Sequence, residues 1–174
     1  MLSKGLVEIF TGDGKGKTSA ALGIALRALG QGLKILIVYF MKGASPLSEM
    51  EVLSQNPDVT ILRSGGENFV NPRAIAQADK DEAQKALNFT RQAMLSKKYD
   101  IIILDEINVA SEWGLIDLNE VQELIKSKPE KIELILTGRY ADDSLIALAD
   151  LVTHMTKVKH PYDQGILARK GIDY

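Results

Sequence analysis

Between Thr11 and Leu22 the chain reads TGDGKGKTSAAL. Gly12, Gly14 and Gly16 let a backbone turn tightly and aim N–H groups inward. A helix that starts just after them adds the positive end of its dipole. Lys17 supplies a mobile cation that follows a phosphate, Thr18 a hydroxyl for Mg²⁺, and Lys15 a second cation. An apolar strand pattern, LVEIF (6–10), precedes the loop, and a helical pattern, KTSAALGIALRALG (17–30), follows it. That setting separates a phosphate-binding P-loop from an ordinary glycine turn. The general motif G-x-x-x-x-G-K-[ST] would put glycine at position 11, where this chain has Thr11.

The rest of the sequence alternates in the same manner. KILIVYFM (34–41), DVTILR (58–63), YDIIILDE (99–106), KIELILTG (131–138) and LVTHMTKV (151–158) read as strands, the first as one covered on both faces. PLSEMEVLSQ (46–55) and DDSLIALAD (142–150) read as short helices. Asn71 as cap and Pro72 in the first turn predict a long helix to about Lys97, with Ala83, Leu87, Thr90 and Met94 at helical spacing. Asp117 with Glu120 resembles a capping box that opens LNEVQELIKS. Repeated strand–helix units need long crossovers and therefore a parallel sheet. The expected fold is a single α/β domain over 1–174, P-loop NTPase-like (RecA-like), with about six strands flanked by helices and an irregular tail over 158–174. Ligands of such sheets bind beyond the carboxyl ends of the strands. Thr11–Thr18, Met41–Lys42, Ser64–Asn71, Asp105–Asn108, Thr137–Arg139 and the start of the tail would share that rim.

A nucleotide site needs an acid at a second strand end. IIILDE supplies Asp105 and Glu106 after four apolar residues, the pattern of a Walker B strand. One carboxylate would ligand the metal while the other orients Thr18 or a bound water, and Glu106 is the expected nearer ligand. Bulk properties remove other classes. The 174 residues suit one domain. The absence of cysteine excludes disulfides, thiolate metal sites and cysteine nucleophiles. A net charge of −2 gives no global basic field for nucleic acid. With no apolar run of membrane-spanning length and no signal-peptide pattern, a cytoplasmic location is expected.

TGDGKGKTSAALGIALRALGQG, YFMKG, ILDEIN, GLIDLNEV, KPEKIELILTGR, ADLVTHM and VKHPYDQGILARKGIDY together resemble the P-loop type of ATP:corrinoid (cob(I)alamin) adenosyltransferase. The likeness spans nearly the whole chain in order, and that family also lacks the first glycine of the loop. It implies that Co(I) of a reduced corrinoid attacks C5′ of ATP and that inorganic triphosphate leaves. It also implies an ATP held reversed relative to ordinary ATPases. By the same resemblance Asp13, Gly14, Lys15, Gly16, Lys17, Thr18 and Ser19 bind the nucleotide, with Gly12 in the loop. Arg27 is expected to reach the nucleotide from the following helix, and Arg139 a phosphate or a neighbouring subunit. Mg²⁺ (or Mn²⁺) would sit at Thr18, Asp105 and Glu106, and catalysis would fall to Lys17, Thr18 and Glu106. The resemblance further implies a homodimer and a flavodoxin-type or other reductase as electron donor. Phe69 would help expel the lower axial ligand of cobalt.

His154 is expected in the core, His160 at the rim, and Trp113 as packing or as a corrin wall. Lys157, Lys159, Arg169 and Lys170 make the tail locally basic. From cradle and acid alone, a P-loop NTPase or kinase cutting at the γ-phosphate stays open, as does a nucleotide sensor.

Overall fold

The structure is a computed structural model and describes residues 2–43, 47–66 and 70–173. Six strands form one sheet: β1 Val7–Thr11, β2 Ile35–Tyr39, β3 Val59–Arg63, β4 Ile101–Asp105, β5 Glu133–Thr137 and β6 Leu151–His154. Their spatial order is β3-β2-β4-β5-β1-β6, and every pair is parallel. The helices are α1 Lys17–Leu29, α2 Ser48–Leu53, α3 Gln77–Leu95, α4 Ile107–Glu112, α5 Leu118–Lys126 and α6 Asp143–Ile146.

The apolar runs mark the strands because both sheet faces are covered, so successive side chains on a strand enter different cores. Leu36, Val38 and Phe40 join Ala83, Leu87 and Met94 of α3. Ile35, Ile37 and Tyr39 join Ala21, Ala25 and Ala28 of α1. Alanines on that face let α1 lie close to the sheet, which brings its amino end, and with it Lys17 and Thr18, over the carboxyl ends of the strands. β5 separates β1, which feeds the glycine loop, from β4, which ends in Asp105.

Several expectations need correction. The long helix begins at Gln77, not at Pro72. Asn71 instead closes a turn of its own: its Oδ1 accepts the Arg73 N–H at 3.0 Å, and its carbonyl accepts that of Ala74. An Asx turn of this kind competes with helix initiation. Asp117 caps α5 by accepting from Asn119 N–H, but Glu120 does not complete a box. Its Oε1 pairs with Arg91 at 3.1 Å and accepts from Gln84. β6 stops at His154 rather than running to Val158. His154 itself is exposed, because β6 is an edge strand exposed along its whole length. Past β6 the tail makes one 3-10 turn, Pro161–Gln164, capped by His160.

Candidate functional site

Thr11, the departure from the glycine motif, is the last residue of β1 and is buried. Its hydroxyl accepts the Ala141 N–H at 3.2 Å, tying the P-loop to the connection after β5. Glycine would lack the hydroxyl and lose that bond. Gly12 follows at φ 97, and a Cβ there would lie 2.5 Å from the Met155 carbonyl and 2.9 Å from the His154 ring. Gly16 caps α1 in the left-handed conformation at φ 117. A side chain at Gly12 would clash with that carbonyl, and one at Gly16 would strain the backbone.

Lys17 Nζ curls back into this loop, donating to the carbonyls of Gly12 at 2.7 Å and Gly14 at 2.8 Å. Burial lowers its pKa, while Glu106, Asp13 and Asp105 counteract the shift. Lys15 points the other way, to Asp173 and the Ile172 carbonyl of the tail. Arg169 also binds Asp173, through Nε at 3.0 Å and its backbone N–H at 2.8 Å. The tail thus folds back over the loop, and part of its basic character is spent internally, Lys157 pairing with Asp163 at 3.0 Å.

Asp105 is fully buried. Its Oδ1 accepts from the hydroxyls of Thr18 at 2.8 Å and Thr137 at 2.7 Å, and its Oδ2 pairs with Lys42 Nζ at 2.5 Å. Glu106 takes the left-handed conformation at φ 63, with its N–H donated to Thr137 Oγ1 at 3.1 Å. Burial raises its pKa first and the charge of Asp105 second, against Lys42, Lys17 and Arg139. Met41 and Tyr140 also have positive φ, 59 and 61. Strained backbone therefore gathers at the carboxyl ends of β2, β4 and β5, where functional sites characteristically store it.

Three hollows meet here. The glycine loop, Glu106, Arg139, His160 and Asp173 line a polar cavity of about 290 Å³. A second, of about 360 Å³, has Phe40, Val70, Val109 and Trp113 as apolar wall and shares Glu106 and Arg139 with the first. The third and largest, about 590 Å³, lies between α1, α2 and the tail and includes Lys15 and Thr18.

Asp13, Gly14, Lys15, Gly16, Lys17, Thr18, Ser19, Glu106 and Arg139 thus line one cavity, with Gly12 and Asp105 in contact with it through Lys17 and Thr18. Arg27 does not join them. It sits exposed in the last turn of α1, roughly 15 Å along the helix from Lys17 at 1.5 Å per residue. Phe69 lies outside the described residues. Trp113 is half-buried against the core of the α3 face and also lines the middle hollow. Sequence reading gave no role to Lys42 or Thr137. The signal for Thr137 was a hydroxyl closing an apolar run; for Lys42 it was a lone cation at a strand end on the rim.

A glycine loop between β1 and α1, a lysine within it and a buried aspartate reached by the helix threonine define a P-loop nucleotide-binding α/β domain. A KaiC-like protein of Pyrococcus horikoshii has the same fold, with a TM-score of 0.56 at 15% identity over 98% of this chain and 76% of that one. The family model for ATP:corrinoid adenosyltransferase BtuR/CobO/CobP matches residues 3–174, and the chain belongs to that family. A corrinoid adenosyltransferase of Sinorhizobium is 36% identical over 98% of this chain and 81% of its own length. That of Pseudomonas aeruginosa is 34% identical over 98% and 84%. Corrinoid adenosyltransferase CobA of Salmonella typhimurium is 31% identical over 98% and 86%.

Proposed function

We propose that this chain transfers the 5′-deoxyadenosyl group of ATP to the Co(I) of a reduced corrinoid. The cobalt electron pair attacks C5′, a Co–C bond forms, the C5′–O5′ bond breaks, and its electrons leave on triphosphate. Family membership supplies the reaction. The observation that carries the assignment of the site is that the polar loop cavity and a second, apolar-walled hollow share Glu106 and Arg139 in their walls. The cradle holds the triphosphate, with ATP reversed so that C5′ faces the second hollow, where the corrin presents cobalt beside Trp113.

Co(I) is itself the nucleophile, so the protein's task is positioning and charge stabilisation. The loop N–H groups and Lys17 receive the charge growing on triphosphate. Lys17 leaves the Gly12 and Gly14 carbonyls to do so, and Lys15 exchanges Asp173 for a phosphate oxygen. Thr18, Asp105 and Glu106 are hard oxygen donors, and one or two carboxylates with substrate phosphates suit Mg²⁺ or Mn²⁺. When bound there, the ion supplies further positive charge against the leaving group. Phe69 is assigned to the lower axial ligand, a reductase to the electron supply, and a homodimer in the cytoplasm to the assembly. Among the described residues, no helix is long and apolar enough to cross a membrane.

The test mixes protein, Mg-ATP and chemically reduced cobalamin, and follows the corrin spectrum and the phosphate product together. Triphosphate formed in step with an alkyl-cobalt spectrum is expected. ADP and orthophosphate with an unchanged corrin spectrum would overturn the reading in favour of γ-phosphate chemistry.

A further inference from the structure

We propose that Lys42 is a resident counter-ion that keeps the Asp105–Glu106 pair from taking up a bare divalent cation, so that the metal enters only together with the nucleotide. The inference deepens, and rests on, the placing of the metal at Thr18, Asp105 and Glu106.

The placement of Lys42 is highly determined. It follows β2 after Met41, whose positive φ of 59 redirects the chain. Its N–H donates to the Ser64 carbonyl at 2.9 Å. Its own carbonyl accepts from Arg63 Nε at 3.1 Å and Nη2 at 2.8 Å. The ammonium lies 5.5 Å from the centroid of the Tyr39 ring, which offers it a second electron-rich surface. Its side chain is 21% exposed and that of Asp105 is 1% exposed, so little water screens the 2.5 Å pair. Lys42 pairs with Asp105 directly and lines the same hollow as the neighbouring Glu106.

Adjacent carboxylates attract divalent cations, and a fixed positive charge paired with one of them weakens that attraction where the local dielectric is low. Among the described residues the cation paired with Asp105 is Lys42: Lys17 donates to two loop carbonyls, and Arg139 is exposed. Among the described residues, no group of three or more His, Cys, Asp or Glu side chains is arranged to hold a metal. An ion at this site needs further oxygen ligands, and triphosphate brings them along with negative charge enough to offset Lys42. Lys42 also lines both the 590 Å³ and the 360 Å³ hollows, so its ammonium has space into which to retreat from Asp105.

The test reads bare Mn²⁺ binding by the loss of the free-ion electron paramagnetic resonance signal, and binding with ATP by the enhancement of water-proton relaxation over a protein-free Mn–ATP control, with no corrinoid present. The native protein should bind Mn²⁺ with ATP and only weakly without it. Lys42→Met should bind bare Mn²⁺ at least about tenfold more tightly than the native protein, as expected when one nearby like charge is removed. Lys42→Gln keeps a polar donor group on a slightly shorter side chain and drops the charge. It should show the same gain, and it stands in should Lys42→Met fail to fold. Lys42→Arg should behave as the native protein. Adding Asp105→Asn to Lys42→Gln should erase the gain. Bare-metal affinity unchanged in a folded Lys42→Gln, with Mn–ATP still bound, would overturn the counter-ion role and leave the metal site standing. No Mn²⁺ uptake by the native protein even with ATP would overturn both.

Discussion

At the amino-terminal end of the sheet, Glu133 accepts the Leu6 N–H at 2.7 Å, Asp150 that of Val7 at 2.8 Å, and Asp100 that of Lys34 at 2.9 Å. At the carboxyl end, Asp105 accepts from two hydroxyls and an ammonium. Asp100, Glu133 and Asp105 are buried and Asp150 is exposed, but the contrast between the ends lies in the donors, which differ in kind. The backbone N–H groups of Leu6, Val7 and Lys34 are fixed by the fold and stay with their acids. A hydroxyl or an ammonium turns on its own bonds and can change partners. The first end therefore clamps the strands in register, while the second is arranged for exchange.

This contrast predicts that damage at the two ends separates into lost chemistry and lost stability. The largest effect is expected for Lys17→Ala. Losing a charge contact to a developing anion costs about 2.7–4 kcal/mol of barrier stabilisation, so kcat should fall by a factor on the order of 10²–10³ or more, with the thermal melt unchanged. A folded variant turning over at near-native rate would break the comparison at its carboxyl end.

Next in size, Asp150→Ala strands the Val7 N–H, which costs about 1–3 kcal/mol. At roughly 2–4 °C per kcal/mol for a chain of this length, calorimetry should record a clear fall in melting temperature. Rates of adenosyl transfer, measured well below that temperature, should stay native. A lowered rate with an unchanged melt would show that the clamp reaches the site.

The smallest effect is one of pH. Burial, then a hydrogen bond with Glu133 and its charge, push the Glu8 carboxyl up to about 7 from an ordinary 4.5. The folded chain thus binds an extra proton between those values. Stability from this group is fully present below about pH 4.5 and is lost as pH rises through 7. Glu8→Gln should remove that slope, so its melting temperature relative to the native protein should rise between pH 5.5 and 8. A difference that stays flat across that range would show that Glu8 does not share a proton with Glu133.

The phosphate cradle was legible in the sequence because its chemistry is contiguous: turn, cation and hydroxyl all fall between Gly12 and Thr18. The strands were legible because a sheet covered on both faces demands uninterrupted apolar runs. What escaped notice was made by contacts across the sheet. Lys42 meets Asp105 across 63 residues, and Thr137 meets it across 32. The clasp of Lys15 by Asp173 spans 158. No local pattern encodes these pairs. The start of α3 was misread because an Asx turn at Asn71 answered the same capping signal. His154 was misread because an apolar neighbourhood in sequence does not reveal that a strand lies at the edge of its sheet.

The left-handed backbone at Glu106 has an engineering consequence. An L residue other than glycine in that conformation gives up on the order of 1 kcal/mol, and glycine adopts it freely. Glycine at position 106 would relax the turn, and the molecule would tolerate more heat. It would also lose the carboxylate that both the loop cavity and its apolar neighbour present. Selection for thermal endurance alone would be drawn to this position and would discard the proposed metal ligand there.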